Sequence, residues 1–159
     1  MNYQTIVKDD LINGEGVRCS LFVSGCSHGC DGCFNEKAWD YRSGQEFSTE
    51  TIQIILDELS KSYVSGLSLL GGDPLMPKNI DDIINLCKIV KEQYPDKTIW
   101  CWSGYTLDEI LNNHASTVLK YIDVLVDGKF VIEEKNLSIP FRGSNNQRIL
   151  KKGIDYEVL

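Results

Sequence analysis

Long apolar runs are absent from this sequence. No stretch approaches the roughly 20 consecutive apolar residues that a transmembrane helix requires, which argues against a membrane protein. The first ten residues, MNYQTIVKDD, are polar and lack the apolar segment of a secretory signal peptide. We therefore predict a soluble protein of the cytoplasm with no membrane partner.

Basic residues are also in short supply. Lysine and arginine number 16 against 23 aspartate and glutamate residues, so the formal net charge at pH 7 is -7. No basic run interrupts this balance, and a negatively charged protein is repelled by the phosphates of nucleic acids. We expect no nucleic-acid partner.

Internal repeats, linkers and low-complexity tracts are absent as well. A chain of 159 residues has the length of one domain and can bury roughly two thirds of its unfolded surface. The composition, with 42% hydrophobic and 25% charged residues, is that of an ordinary globular protein. We predict a single domain over residues 1–159.

The missing secretory signal bears on the interpretation of the six cysteines. Disulfide-stapled proteins are mostly small and secreted, so a disulfide framework explains these cysteines poorly. Cys26, Cys30 and Cys33 are clustered with the spacing C-x3-C-x2-C, and clustered thiols in a reducing compartment more often bind metal. The remaining three are scattered and are expected to be small core residues: Cys19, Cys87 and Cys101.

Strands and helices alternate along the chain. Apolar runs predict strands at 18–24, 66–70, 98–102 and 122–126, and a short fifth strand at 148–150. Periodicity predicts helices at 48–63, after Asn79 as N-cap, and after Thr106, whose partner in a capping box is Glu109. This alternation, with nearly continuous apolar strands, is typical of a parallel sheet with helical crossovers.

The length of the chain limits the number of strand–helix units. A complete (β/α)8 barrel takes roughly 250 residues, whereas this chain has room for about five units of roughly 30 residues each. Two architectures of the α/β class remain open on this argument: a partial, open barrel and a small doubly wound sheet.

Loops rich in glycine, aspartate and serine follow the predicted strands. These loops are residues 26–34, 71–74, 103–105 and 127–129. In a parallel sheet they emerge at the same edge, the carboxyl end at which α/β proteins place their ligands. Each loop alone is consistent with an ordinary turn, but four such loops that include a cysteine cluster indicate a ligand site.

Three clustered thiolates leave the kind of metal site open. Structural zinc requires four ligands, and the fourth would have to come from His28, His114 or Cys19. A ferredoxin cluster also uses four cysteines. A four-iron cluster on three cysteines instead leaves one iron free to bind a small molecule. A zinc-binding interaction module is one alternative, and a plain electron carrier is disfavoured because no fourth cysteine is clustered.

The spacing C-x3-C-x2-C is the hallmark of the radical S-adenosylmethionine enzymes, and the surrounding sequence resembles one branch of them. Residues 13–39, NGEGVRCSLFVSGCSHGCDGCFNEKAW, resemble the opening of the glycyl-radical-enzyme activases. Similar segments follow at GGDPL (71–75), the tryptophan-rich strand with SGY (100–105), VDGKF (126–130) and FRGSNNQ (141–147). One departure is that the aromatic residue, Phe34, follows the last cysteine instead of preceding it.

The resemblance implies a fold and a set of ligand contacts. The fold is a partial, open (β/α) barrel of about five units, the radical S-adenosylmethionine core. Cys26, Cys30 and Cys33 hold a 4Fe-4S cluster, and S-adenosylmethionine binds the fourth iron through its amino and carboxylate groups. The other implied contacts are Gly32, Cys33 and Phe34 at the adenine, Gly71, Gly72 and Asp73 at the methionine moiety, and Ser103, Asp127 and Lys129 at the carboxylate or ribose.

The resemblance also implies an oxidoreductase activity. The reduced cluster donates one electron, S-adenosylmethionine splits into methionine and a 5′-deoxyadenosyl radical, and the radical removes a hydrogen atom from a backbone glycine of another protein. The most similar subgroup acts on the large subunit of the anaerobic ribonucleoside-triphosphate reductase and receives electrons from a donor such as flavodoxin. A different glycyl-radical enzyme as target stays open.

Overall fold

The computed structural model describes residues 1–157, so the last two residues of the predicted domain lie outside the described part. The strands are β1 (Asn2–Asp10), β2 (Val17–Val23), β3 (Gln45–Glu46), β4 (Val64–Gly71), β5 (Thr98–Ser103), β6 (Val124–Asp127) and β7 (Arg148–Lys151). The α-helices are α1 (Thr49–Leu59), α2 (Ile80–Gln93) and α3 (Leu107–Leu111), and short 3-10 helices cover Glu36–Ala38, Ser116–Lys120 and Ile132–Glu134. No helix among residues 1–157 is both long enough and apolar enough to span a bilayer.

All seven strands form one mixed sheet in the order β3-β1-β2-β4-β5-β6-β7. The central strands β2, β4, β5 and β6 are parallel to their neighbours. Strands β1 and β3 at one edge and β7 at the other run antiparallel to their neighbours. The α/β class and the parallel sheet with helical crossovers are confirmed.

The number of parallel units is smaller than the sequence predicted. Four strands of the described chain are parallel, not five, because β7 lies at the predicted place but pairs antiparallel with β6. The prediction also missed β1. Much of β1 is exposed to solvent. Charged and polar side chains therefore interrupt the apolar alternation that would have indicated a strand.

One face of the sheet packs against the helices and contains the main core. Side chains alternate between the two faces of a strand, and the apolar positions on this face are Leu21 and Val23, Leu67 and Leu69, Ile99, and Leu125. Helices α1 and α2 contribute Ile55, Leu59, Ile83 and Leu86. Cys19, Cys87 and Cys101 are free, fully buried thiols in this same core, so their predicted packing role is confirmed.

The opposite face carries aromatic and polar side chains. Trp100 and Trp102 lie side by side on it, with ring centroids 5.7 Å apart, as strand alternation predicts. The guanidinium of Arg18 is buried there, 5.8 Å from the ring of Trp100. Burial lowers the pKa of Arg18 to about 10, which leaves it charged at neutral pH. We call this side of the sheet the open face.

The hydrogen bonds that the guanidinium of Arg18 donates within the described chain all go to uncharged acceptors. Its Nε donates to Ser68 Oγ at 2.9 Å. Its terminal nitrogens donate to both the side chain and the carbonyl of Thr98 at 2.8 Å, and to the carbonyls of Leu67 and Glu15 at 2.9 and 3.1 Å. These five hydrogen bonds connect β2, β4, β5 and the loop that precedes β2.

The helices begin where the sequence predicts, but two of the predicted side-chain contacts differ. Helix α1 begins after Ser48, and Thr106 Oγ1 accepts a hydrogen bond from the backbone of Glu109 at 3.2 Å. Only this half of the predicted capping box is present among the described residues, because the side chain of Glu109 accepts from Thr106 Oγ1 at 3.3 Å and not from its backbone. Asn79 precedes α2 as predicted but does not cap it. Its Nδ2 instead donates to the carbonyls of Ser24 and Asp73, both at 3.0 Å, which ties the start of α2 to two loops.

Candidate functional site

A cavity of about 540 Å³ opens at the carboxyl end of the four parallel strands. It is lined by residues from all four loops that the sequence singled out: Cys26, Cys30, Cys33 and Phe34; Gly71, Gly72 and Asp73; Ser103; and Gly128. The prediction that these loops meet at one edge is confirmed. The volume lies within the range of roughly 300–1,000 Å³ that is usual for ligand pockets.

The cysteines lie on an irregular loop, residues 24–35, which is held at its base by backbone hydrogen bonds. Gly25 N donates to Ala38 O at 2.6 Å, and Cys26 N donates to Trp39 O at 3.2 Å. The three thiols are free and half-buried. Burial raises the pKa of Cys26 to about 12 and also raises the pKa of Cys30. Both are therefore neutral thiols at pH 7 unless a cation binds to stabilise the thiolates.

The residues that could complete a closed zinc site are occupied elsewhere. Within residues 1–157, no three His, Cys, Asp or Glu side chains converge on a single ion. Nε2 of His28 lies 2.7 Å from Asp73, Nε2 of His114 lies 2.6 Å from Leu75 O, and Cys19 is in the core. Three thiols on one cavity wall suit a larger iron–sulfur group better than a single zinc ion.

Asp73 lies at the centre of a hydrogen-bond network that joins three loops. Its carboxylate is buried and accepts hydrogen bonds from the backbone of Leu75 at 2.9 Å and of Gly104 at 2.8 Å. The hydroxyl of Ser103 lies 3.0 and 2.9 Å from its two oxygens. Nε2 of His28 is the fourth partner. Both oxygens are thus engaged by the protein, and the predicted contact of Asp73 with the ammonium of the ligand stays a prediction.

Glycine is required at positions 71 and 72 because the backbone at both positions lies very close to the backbone of another segment. A Cβ on Gly71 would lie 2.4 Å from backbone atoms of Val23, and a Cβ on Gly72 would lie 2.5 Å from Gly25 O. Gly71 also has a φ of +123°, which L-residues rarely adopt. The glycines let the loop after β4 run against the base of the cysteine loop, while both residues still line the cavity.

Of the three residues predicted to contact the adenine, two line the cavity and one does not. Phe34 lines the cavity, is 60% exposed, and packs against Phe130 with ring centroids 4.8 Å apart. Cys33 lies beside it on the same wall. Gly32 is exposed and is not part of the cavity lining; a Cβ there would lie 2.5 Å from the side chain of Ile132.

Asp127 and Lys129 lie outside the cavity lining, although Gly128 between them is part of it. The buried carboxylate of Asp127 accepts hydrogen bonds from Arg148, at 3.0 and 2.6 Å, and from Leu107 N at 2.8 Å. The hydrogen bond with Asp127 raises the pKa of Arg148. Lys129 is exposed to solvent. Their predicted contact with the ligand stays a prediction.

The FRGSNNQ segment, to which the sequence assigned no definite role, forms part of the cavity wall. Phe141, Arg142 and Gln147 line the cavity. The segment is held in place by Trp102, whose Nε1 donates to Phe141 O at 2.7 Å. Arg142 donates from one terminal nitrogen to Gln147 O at 3.1 Å, while its buried Nε has no hydrogen-bond partner among the described residues. His28 was likewise visible in the cysteine motif but received no role other than as a candidate zinc ligand.

Known proteins similar to this chain match it over most of its length and of their own. The family described as 4Fe-4S single cluster domain matches residues 12–150. A protein of Enterobacteria phage T4 is 47% identical over 151 residues, which are 94% of this chain and 93% of the phage protein. A protein of Haemophilus influenzae is 47% identical over 94% of this chain and 97% of its own length. A protein of Escherichia coli K12 is 46% identical over 92% of this chain and 96% of its own length.

All three relatives are named anaerobic ribonucleoside-triphosphate reductase-activating protein. The matched region includes the three clustered cysteines and every loop that lines the cavity. The family resemblance predicted from the sequence is confirmed. The chain belongs to the family of anaerobic ribonucleoside-triphosphate reductase-activating proteins and contains a 4Fe-4S single cluster domain.

Proposed function

We propose that this protein activates the anaerobic ribonucleoside-triphosphate reductase by generating a glycyl radical on its large subunit. Three free thiols, from Cys26, Cys30 and Cys33, share one wall of an open cavity at the carboxyl edge of the parallel strands, and this observation is the main support. They would hold a 4Fe-4S cluster with one iron left for S-adenosylmethionine. The names of the relatives supply the identity of the target.

The lining of the cavity fits S-adenosylmethionine chemically. When bound, a reduced cluster supplies the electron that cleaves S-adenosylmethionine and so produces the radical that takes a hydrogen atom from glycine. The protein's own residues bind and orient the ligand. Arg142, whose buried Nε has no hydrogen-bond partner within residues 1–157, is suited to a carboxylate. Phe34 presents an aromatic ring to a nucleoside.

The fold proposed for this chemistry is the partial, open barrel of the radical S-adenosylmethionine core, in one domain. The four parallel strands and the aromatic residues of the open face support it, because a barrel needs one face of the sheet to line an interior. The cytoplasm as location and a flavodoxin-like electron donor also belong to this proposal.

A protein substrate agrees with the mouth of the cavity. Ile12, Phe34 and Leu137 all line the cavity and are 78%, 60% and 74% exposed. Exposed apolar side chains that rim a pocket are typical of an interaction site, and a large partner can cover them where a small substrate cannot. Covering them would also keep water away from a reactive radical.

The proposal is tested by mixing the anaerobically reconstituted protein with a reductant, S-adenosylmethionine and the anaerobic reductase. We expect 5′-deoxyadenosine in the products and a glycyl radical signal in the electron paramagnetic resonance spectrum of the reductase. A reductase variant with alanine in place of the target glycine is the matched control and should give no glycyl radical. Failure of the native pair to give either product would refute the proposal.

A further inference from the structure

We propose that His28 is a positioning residue, which sets the cysteine loop against the S-adenosylmethionine site through its contact with Asp73. The inference rests on the proposed function. It assigns a role to the residue midway between Cys26 and Cys30 in the motif. The role is to fix the distance between the cluster and its ligand, not to bind iron.

The contact between His28 and Asp73 is short and buried. Nε2 of His28 lies 2.7 Å from Oδ2 of Asp73, and the two side chains are 7% and 2% exposed. An ionised carboxylate only accepts hydrogen bonds, so Nε2 acts as the donor in this contact. A hydrogen bond to a carboxylate in so buried a place is among the stronger ones in proteins.

Asp73 connects separate loops, because its hydrogen-bond partners come from more than one of them. His28 is on the loop after β2, and Asp73 is on the loop after β4. Ser103 and Gly104, at and directly after the end of β5, donate to the same carboxylate. The carboxylate therefore joins three of the four loops that line the cavity.

The imidazole ring of His28 has little freedom to move. The ring of Tyr105 packs edge-on against it, with centroids 4.7 Å apart. Gly104 passes so close that a Cβ there would lie 2.4 Å from Cδ2 of His28. A ring held on two sides and hydrogen-bonded at its tip transmits the position of Asp73 to the two neighbouring cysteines.

This contact gives the middle of the cysteine loop, where the residues next to His28 are small, a fixed attachment to a neighbouring loop. The loop around the cysteines has no regular secondary structure between Ser24 and Asn35 other than turns. Its own backbone hydrogen bonds lie mainly at its base. The contact of His28 with Asp73 is the one hydrogen bond by which a side chain from the middle of this described loop, residues 27–32, reaches the loop after β4.

The test uses two isosteric amides in the cluster-loaded protein, His28→Gln and His28→Asn. The amide nitrogen of glutamine can reach the position of Nε2, whereas that of asparagine is too short and falls near Nδ1. We measure iron and sulfide content, the dissociation constant for S-adenosylmethionine, and the change in the spectrum of the reduced cluster when S-adenosylmethionine is added. Loss of a hydrogen bond to a buried carboxylate should weaken binding of S-adenosylmethionine about tenfold or more in the asparagine variant.

The glutamine variant should bind S-adenosylmethionine within about threefold of the native protein, because it restores the donor. Loss of iron in the asparagine variant alone would also support the proposal. Equal affinity in all three proteins, or equal loss in both variants, would overturn it. If the native protein itself binds no S-adenosylmethionine, the proposed function fails first, so the two failures are distinguishable.

Discussion

The two faces of the sheet are built on the same strands but from different kinds of side chain. On β4, Leu67 and Leu69 point to the helices, while Ser68 between them belongs to the open face and accepts a hydrogen bond from Arg18. On β5, Ile99 and Cys101 join the helix-covered core, and Trp100 and Trp102 lie on the opposite side.

The difference shows where stability and function are located in this molecule. The helix-covered face buries almost only aliphatic side chains and thiols, and burial of apolar surface is the main source of folding free energy. The open face keeps buried polar groups, each of which requires a partner. Substitutions on the helix-covered face should therefore change the free energy of unfolding. Substitutions at the mouth of the cavity should instead change the binding of the ligand and the partner.

The largest expected effect separates the two groups of cysteines. Cys33→Ala should abolish iron retention and cleavage of S-adenosylmethionine, because it removes one of three thiols of the proposed cluster site. Cys87→Ala should leave the iron content unchanged and lower the free energy of unfolding by about 1 kcal/mol, since it removes one buried sulfur. Anaerobic iron and sulfide analysis, together with urea unfolding, measures both.

The distinction between iron-binding and core cysteines would be contradicted if Cys33→Ala and Cys87→Ala behaved alike. An intact cluster in Cys33→Ala would mean that iron is held by other side chains. Loss of iron in Cys87→Ala, with the protein still folded, would place a core thiol at the metal.

Two neighbouring leucines of β4 give the next largest effect. Leu69 is fully buried against the helices, whereas Leu70 is half-buried and lines the cavity. Leu69→Ala should lower the free energy of unfolding by about 3 kcal/mol. Leu70→Ala should lower it by only about 1 kcal/mol because less apolar surface is lost. Urea unfolding at constant pH compares the pair, and equal losses would contradict the assignment of stability to the helix-covered face.

Replacement of Arg18 tests whether a polar network also stabilises the open face. Arg18→Met should lower the free energy of unfolding by about 2 kcal/mol, because carbonyls of Leu67 and Thr98 lose a charged donor. Arg18→Lys is the control: it keeps the charge but has too few donors in the right directions, so part of the loss should remain. No change in the midpoint of urea unfolding would show that the network adds nothing net.

The smallest effect concerns acid unfolding. Burial raises the pKa of Asp10, but hydrogen bonds from Ser20, Asn13 and the backbone of Ile12 outweigh it, and the net pKa lies below the ordinary 3.8. A lowered pKa in the folded state adds stability that is complete above about pH 4 and is lost as the pH falls through the folded-state pKa. Asp10→Asn should therefore flatten the dependence of unfolding free energy on pH below about 4. An unchanged slope in this variant would assign the dependence to other carboxylates.

Apolar patterning was enough to predict the central strands. The run at 98–102 predicted β5 to within one residue of its observed end at Ser103. Central strands are buried on both sides, so their sequence is distinctive. Strand β1 pairs at the edge, where half of each strand faces solvent, and its charges concealed it. The direction of β7 could not be predicted because its pairing depends on where the chain returns, not on its four residues.

The sequence predicted which loops form the site but not the hydrogen bonds that connect them. The spacing of Cys26, Cys30 and Cys33 is local, so the sequence could indicate it directly. The partnership of His28 and Asp73 spans a sequence separation of 45 residues, and Asp127 pairs with Arg148 across 21 residues. Such pairs arise from the fold, and one sequence alone contains no signal of them. Hence Asp73 and Asp127 were assigned to the ligand without their protein partners.

The outer edge of β1 bears on self-association. Strand β3 pairs with only Asn2 and Tyr3, so the rest of that edge, within the described chain, presents unpaired backbone groups of the kind that recruit another strand. Two features oppose such recruitment. Lys8 and Asp9 place charges at the end of the strand, and a break in register between Val7 and Asp10, with a φ of 53° at Asp9, twists the ribbon away from a flat template. The charges and the local twist at the end of β1 thus counteract the exposure of unpaired backbone groups at this edge, and they protect the sheet from growing into a fibre.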